Sequence, residues 1–81
     1  MFVVYVLYSE KYNKIYIGYT SNIEARIRSH NELAAKGWTI RFRPWSIIHK
    51  ELFDNKRAAL KRESELKTAK GRQWIWGLLE K

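Results

Sequence analysis

Arg26 and His30 stand four residues apart, just beyond an aromatic segment that ends in Tyr16-Ile17-Gly18, in the stretch IYIGYTSNIEARIRSH. A guanidinium holds anionic oxygens in a fixed fork, and imidazole and phenol groups give or take protons. A carboxylate able to join such a set stands at Glu63, inside KRESELK. The four side chains suit the binding of an anion and the movement of a proton on it. Whether they share one site depends on the faces their elements present.

Helical periodicity addresses that question. With Ile23 at zero on a wheel of about 100° per residue, Ile27 and Ala34 fall within roughly 40° and mark the buried stripe. His30 falls inside the stripe, about 20° to one side, and Arg26 lies about 60° off on the same flank. Arg28 points to solvent. Taken singly, each has an ordinary account: a hydrogen-bonded core histidine, and an arginine whose stem lies on the core. On the later helix, Ala59, Leu60 and Leu66 define the apolar sector. Glu63 sits within that sector, while Glu65 points nearly opposite. A carboxylate so placed must be paired or bind a metal. Lys67, one turn on, offers a structural pair. A metal-binding or acid–base role for Glu63 is the functional alternative.

The elements that carry these residues follow from pattern. Phe2–Ser9 and Lys14–Thr20 are β-branched and aromatic, and the polar stretch between them contains Asn13. They read as an antiparallel hairpin. Alternation puts Tyr16, Gly18 and Thr20 on one face, and Ile15, Ile17 and Tyr19 on the other. Val3, Tyr5 and Leu7 share a face, and the turn register decides whether it is also Tyr16's. The next helix has Ser21 as N-cap, Glu24 completing a capping box, and Gly37 as its stop. WTIRFRPW has no clear period, and Pro44 argues against a helix there. A third strand runs over Trp45–Phe53. Asp54 caps a helix over NKRAALKRESELKTAK that ends at Gly71. RQWIWGLLEK is a short last helix with Trp74, Ile75, Leu78 and Leu79 on its apolar side. The order β-β-α-β-α-α describes an α+β fold, a small three-stranded antiparallel sheet flanked by helices. Residues 1–81 are expected to form one domain.

Bulk composition limits the function. With 46% hydrophobic and 15% aromatic residues, the chain has the makings of a folded globule with one small core. Sixteen lysines and arginines against eight acidic residues give a formal charge of +8. That balance favours a polyanionic partner, nucleic acid before an acidic membrane surface. The absence of cysteine excludes disulfides, thiolate metal sites and cysteine nucleophiles, and makes a reducing cytoplasm the simpler home. FVVYVLY has no basic segment before it and is too short to span a bilayer, so neither a signal peptide nor a membrane anchor is expected.

These residues, in this order, resemble the GIY-YIG nucleases, a family that includes strand-cutting subunits of bacterial excision repair, homing and restriction endonucleases, and small stand-alone proteins. The second motif stands intact as Tyr16-Ile17-Gly18. The first appears as Val3-Val4-Tyr5, with its tyrosine kept. Arg26 matches the family's arginine on the first helix, His30 the histidine or tyrosine one turn later, and Glu63 the metal-binding glutamate. RPW and LKTAKGRQW look like the stand-alone bacterial branch. Tyr19 stands where some members carry lysine, and no asparagine follows Asn55.

The resemblance implies a bacterial, cytoplasmic endonuclease that hydrolyses phosphodiester bonds in DNA, structure-selective and related to repair. Glu63 would hold one Mg²⁺ or Mn²⁺ on the leaving side of the scissile phosphate, and Arg26 would clamp the phosphate. Tyr5, Tyr16 and His30 are all candidates to orient or deprotonate the attacking water. Lys11, Lys14, Arg28, Lys36, Arg41, Arg43, Lys67 and Lys70 are candidate contacts to the nucleic-acid backbone. Trp38 and Trp45 either stack on unpaired bases or pack as core. The alternative function is a binding module of the same fold without turnover, or, less favoured, a basic protein–protein adaptor.

Overall fold

The computed structural model describes residues 1–33 and 37–80. Ala34 and Lys36, placed above on the first helix and on a nucleic-acid path, lie outside the described residues. β1 (Phe2–Ser9) and β2 (Lys14–Thr20) form the expected hairpin. At its turn Asn13 takes a left-handed φ of 54°, which asparagine tolerates. The Asn13 side chain accepts a hydrogen bond from the Tyr8 hydroxyl at 3.1 Å. The register pairs Tyr5 with Gly18 and Leu7 with Tyr16. Val3, Tyr5 and Leu7 therefore share Tyr16's face, which settles the point left open by the alternation.

β3 (Ser46–Phe53) pairs antiparallel with the other side of β1, giving the order β2-β1-β3. Both β2 and β3 are edge strands. The fold is α+β, a three-stranded antiparallel sheet with helices on both faces. On one face α1 (Ile23–Arg28) sets Ile23 and Ile27 against Val3, Tyr5, Leu7 and Trp45. On the other, α2 (Lys56–Lys67) and α3 (Ala69–Leu79) set Ala59, Leu66 and Ile75 against Val4, Val6, Tyr8, Ile15 and Ile17.

Several boundaries differ from the sequence expectation, each for a local reason. Asn22, not Ser21, caps α1 by accepting from the Ala25 N–H at 3.1 Å. Thr20 Oγ1 accepts from the Asn22 N–H and fixes the turn one residue later. The α-helix stops at Arg28, and Ser29–Leu33 continues as a π-helical turn. Trp38–Phe42 is a short 3-10 helix. Asn55, not Asp54, caps α2. The long helix expected to reach Gly71 breaks at Thr68, whose hydroxyl donates to the Glu65 carbonyl at 2.7 Å and accepts from the Gly71 N–H at 3.1 Å. One threonine thus ends α2 and caps α3.

Three apolar assignments also change. Leu60, Leu78 and Trp74 are exposed rather than buried. Trp74 instead covers a charged clasp at the β3 edge: His49 lies edge-on to its ring at 5.0 Å, and the Arg62 guanidinium lies 5.6 Å above it. Arg62 donates to both oxygens of Glu51 at 3.0 and 3.1 Å, and His49 Nε2 is 2.7 Å from Glu51. Burial pushes the Glu51 carboxyl up, but Arg62 and His49 together outweigh it and hold its pKa below the ordinary value.

Gly71, in the first turn of α3, lets that helix cross the end of α2 at close range. A Cβ there would meet the Glu65 carbonyl oxygen and the Leu66 backbone, with Leu66 Cα at 2.6 Å. Backbone cannot yield as a flexible side chain can. Gly71→Ala is therefore expected to cost about 1–3 kcal/mol of stability, measured as a lower urea midpoint. An unchanged midpoint would contradict the close crossing.

Candidate active site

The face shared by β1, β2 and α1 gathers most of the residues singled out above. Tyr5 stands on the middle strand with no exposed surface. Its ring crosses the backbone of Gly18, its cross-strand partner. A Cβ at Gly18 would lie 2.7 Å from the Tyr5 hydroxyl oxygen and 2.9 Å from Cζ. Glycine is required here by close approach, since any side chain would displace the phenol.

The Tyr5 hydroxyl lies 3.1 Å from His30 Nε2, and His30 Nδ1 lies 3.0 Å from Thr39 Oγ1. Tyr16, on the edge strand, packs its ring against both, with centroids 4.8 Å from His30 and 6.2 Å from Tyr5. Arg26, on the outward flank of α1, faces the two phenols, and its pKa is held up first by hydrogen bonding with Tyr5. Arg26 can only donate, so an interaction with the Tyr5 oxygen leaves the phenol proton available to face a neutral His30 Nε2. The Nδ1 proton then faces Thr39.

The electrostatics follow from burial. Burial pushes the Tyr5 phenol up to about 12, against the opposing hydrogen bond from Arg26, and the charges of Tyr16 and Glu63 add to the rise. Burial also lowers the His30 pKa, reinforced by the positive charges of Arg26 and Arg43. His30 is therefore neutral at pH 7 and keeps a lone pair for Tyr5.

His30 owes its position to the π-helical turn. Arg43 donates through Nε to the His30 carbonyl and through Nη2 to the Ser29 carbonyl. Helical backbone that departs from the α pattern leaves carbonyls to be satisfied elsewhere, and Arg43 satisfies two of them. The expected nucleic-acid contact at Arg43 is thus engaged in shaping the site. Asn31 fixes the next segment, donating to the Trp45 carbonyl and accepting from the Trp45 N–H at 2.7 Å. Trp45 is core, and its indole donates to the Thr39 carbonyl at 2.8 Å. Thr39 was not singled out from sequence. A threonine in a segment without periodicity carries no signal until the fold brings it to His30.

Glu63 approaches from the opposite face. It lies one turn from both Ala59 and Leu66 on the inward stripe of α2, and its side chain is only 15% exposed. Its charge is felt at Tyr5, whose pKa it helps to raise. Lys67 lies 3.5 Å from it, so the i,i+4 pair foreseen as a structural alternative does form. Among the described residues no three acidic, histidine or cysteine side chains cluster as a ready-made metal cage.

Of the other basic residues, Lys14 and Arg41 are exposed beside Phe42, close to Tyr16. Arg28 is exposed and pairs with Glu32 at 3.4 Å. Lys70 is exposed at the start of α3. A cleft of about 340 Å³ opens between Tyr16, Arg26, His30, Trp38 and Thr39. No described helix is long and apolar enough to cross a membrane.

Residues 1–75 match the family model described as the GIY-YIG catalytic domain. UPF0213 proteins of Staphylococcus haemolyticus and Staphylococcus saprophyticus are each 43% identical over 58 residues, covering 72% of this chain and 71% of theirs. A UPF0213 protein of Haloquadratum walsbyi is 41% identical over 54 residues, 67% of this chain and 61% of its own length. No solved structure matches the chain.

Gly18→Ala is expected to force the Tyr5 ring out of place at a cost of about 1–3 kcal/mol. Adding Tyr5→Phe, which removes the nearest atom, should recover part of that loss in thermal melts. No recovery would mean that the clash lies elsewhere. His30 is expected to titrate below 6.5 in NMR spectra. As pH falls below that value the unfolded chain takes up the proton first, so stability declines until His30 titrates in the folded state. His30→Asn should remove that part of the decline. A folded-state midpoint at or above 6.5 would contradict the neutral, buried imidazole.

Proposed function

The chain belongs to the GIY-YIG family, and from that premise we propose that it is a divalent-metal-dependent endonuclease hydrolysing phosphodiester bonds in DNA. The observation that carries the reading is Arg26 facing the hydroxyls of Tyr5 and Tyr16 at the mouth of a cleft backed by neutral His30. Hydrolysis needs a held phosphate, an oriented water and a route for its proton. Arg26, exposed and always charged, forks onto two phosphate oxygens. Tyr16 lines the cleft and presents its hydroxyl to a water there. Tyr5 and His30 stand behind it as a hydrogen-bonded pair, with Thr39 fixing the imidazole, and give a proton leaving the cleft somewhere to go.

Glu63 is the residue that would hold the metal. A single, mostly buried carboxylate fits Mg²⁺ or Mn²⁺, ions that keep several waters and borrow phosphate oxygens, better than ions that need a protein cage. When bound, such an ion stabilises negative charge developing on the phosphate and leaving oxygen. Lys67 must give way to it. That side chain is about half exposed and on a flexible stem, so the pair is a weak hold. The same pair favours a second reading, a nucleic-acid-binding module in which Lys67 permanently occupies Glu63.

Labelled DNA substrates of several structures, incubated with Mg²⁺ or Mn²⁺, separate the two. Cut product is expected from the wild type, with a loss of at least about a hundredfold in Glu63→Ala and Arg26→Ala while both variants stay folded. Cleavage that survives Glu63→Ala would falsify the nuclease reading. Salt-sensitive binding with no product under any divalent ion would establish the binding module instead.

A further inference from the structure

One wall of the cleft plays no part in the chemistry proposed above. Trp38 lies nearly parallel to Tyr16, with centroids 6.5 Å apart and planes at 28°. Phe42 follows at 4.7 Å from Trp38, and Tyr12 lies edge-on to Phe42 at 5.5 Å. Four rings thus run in an unbroken row from the site to the β1–β2 turn. Cations line the far end of the row. Lys14 and Arg41 stand over Phe42 at 5.5 and 5.7 Å, and Lys11 stands over Tyr12 at 5.5 Å.

Packing alone does not explain this arrangement. Trp45, the neighbouring indole, is 4% exposed, as a core ring should be. Trp38 is 46% exposed and Tyr12 42%. Exposed Trp38 and Tyr12, with half-buried Phe42 between them and cations alongside, lead to a phosphate clamp and match the chemistry of unpaired nucleotides: bases stack on the open rings and phosphates follow the charges. An intact duplex offers the protein phosphates and base edges but keeps its base faces stacked on one another.

We infer that the Trp38–Phe42–Tyr12 row is a stacking track for unpaired bases, with Lys11, Lys14 and Arg41 following their backbone, and that the substrate is single-stranded DNA or a single-stranded segment of a larger DNA. The scissile phosphate beside Trp38 belongs to the nuclease reading, on which this inference rests for its direction. Binding to the track does not require turnover.

The test is fluorescence quenching and anisotropy with metal chelated, using a mixed-sequence single-stranded oligodeoxynucleotide, the blunt duplex of equal length, and the single-stranded RNA counterpart. The single-stranded DNA is expected to bind about tenfold or more tighter than the duplex. Trp38→Ala should lose about tenfold on the single strand, and Trp38→Phe, which keeps a ring, should retain most of the affinity. Replacing Lys14 and Arg41 with glutamine should flatten the salt dependence. Circular dichroism checks that each variant is folded. Equal binding of duplex, unchanged binding in folded Trp38→Ala, or a preference for RNA would overturn the inference. Glu63-dependent cutting of duplex that ignores Trp38→Ala would remove it and leave the nuclease standing. Trp38-dependent single-strand binding without any cleavage would support it and remove the nuclease.

Discussion

A phenol sealed from water and laid across a glycine sets the terms for the rest of this molecule. Tyr5 sits on the central strand, and its hydroxyl cannot be left unpaired in that setting without a cost of about 1–3 kcal/mol. Gly18 gives it room, and His30 and Arg26 give it partners. Each partner then needs support of its own. His30 must stay neutral, which burial and the nearby guanidinium groups ensure, and its second nitrogen needs Thr39. Thr39 in turn is held by the Trp45 indole through its carbonyl. The requirement spreads outward from one hydroxyl to β2, α1, the π-helical turn and the 3-10 segment.

The two faces of the sheet divide the work. The α2–α3 face is an ordinary small core of Val4, Val6, Ile15, Ile17, Leu66 and Ile75, and most of the hydrophobic stability resides there. The α1 face has fewer aliphatic residues and more groups with hydrogen-bonding duties. A chain of 81 residues has little surface to bury. Concentrating apolar packing on one face leaves the other able to carry polar and aromatic groups that serve a site. Glu63 is the exception, a carboxylate set into the stable face. Its presence on that stripe costs packing, which is why it stood out.

How much of this was legible depended on whether the signal was local. The hairpin, the third strand and the starts of both capped helices rest on period and turn chemistry within a few residues, and those starts shift by one cap, whereas the helix ends fall well short of Gly37 and Gly71. Arg26, His30 and Glu63 were visible because a polar type occupied an apolar position on a wheel. Tyr5 and Tyr16 needed the hairpin register, which alternation alone leaves open by one residue. The π-helical turn was not legible, because it depends on Arg43 reaching back to carbonyls of Ser29 and His30. The break at Thr68 was hidden for the opposite reason. Its surroundings favour helix, and only the double use of one hydroxyl shows the stop. Trp74 and Leu60 misled because apolar type was read as burial, while the clasp of Glu51 and Arg62 uses an indole as a lid.

The cross-links from Arg43 to Ser29 and His30, and from Asn31 to Trp45, have an architectural corollary. They tie the chain before residue 34 to the chain after residue 42, independently of what joins them. The imidazole that backs the cleft is thereby moored from two stretches of chain at once, by its own helical turn and by Thr39 and Arg43 beyond it.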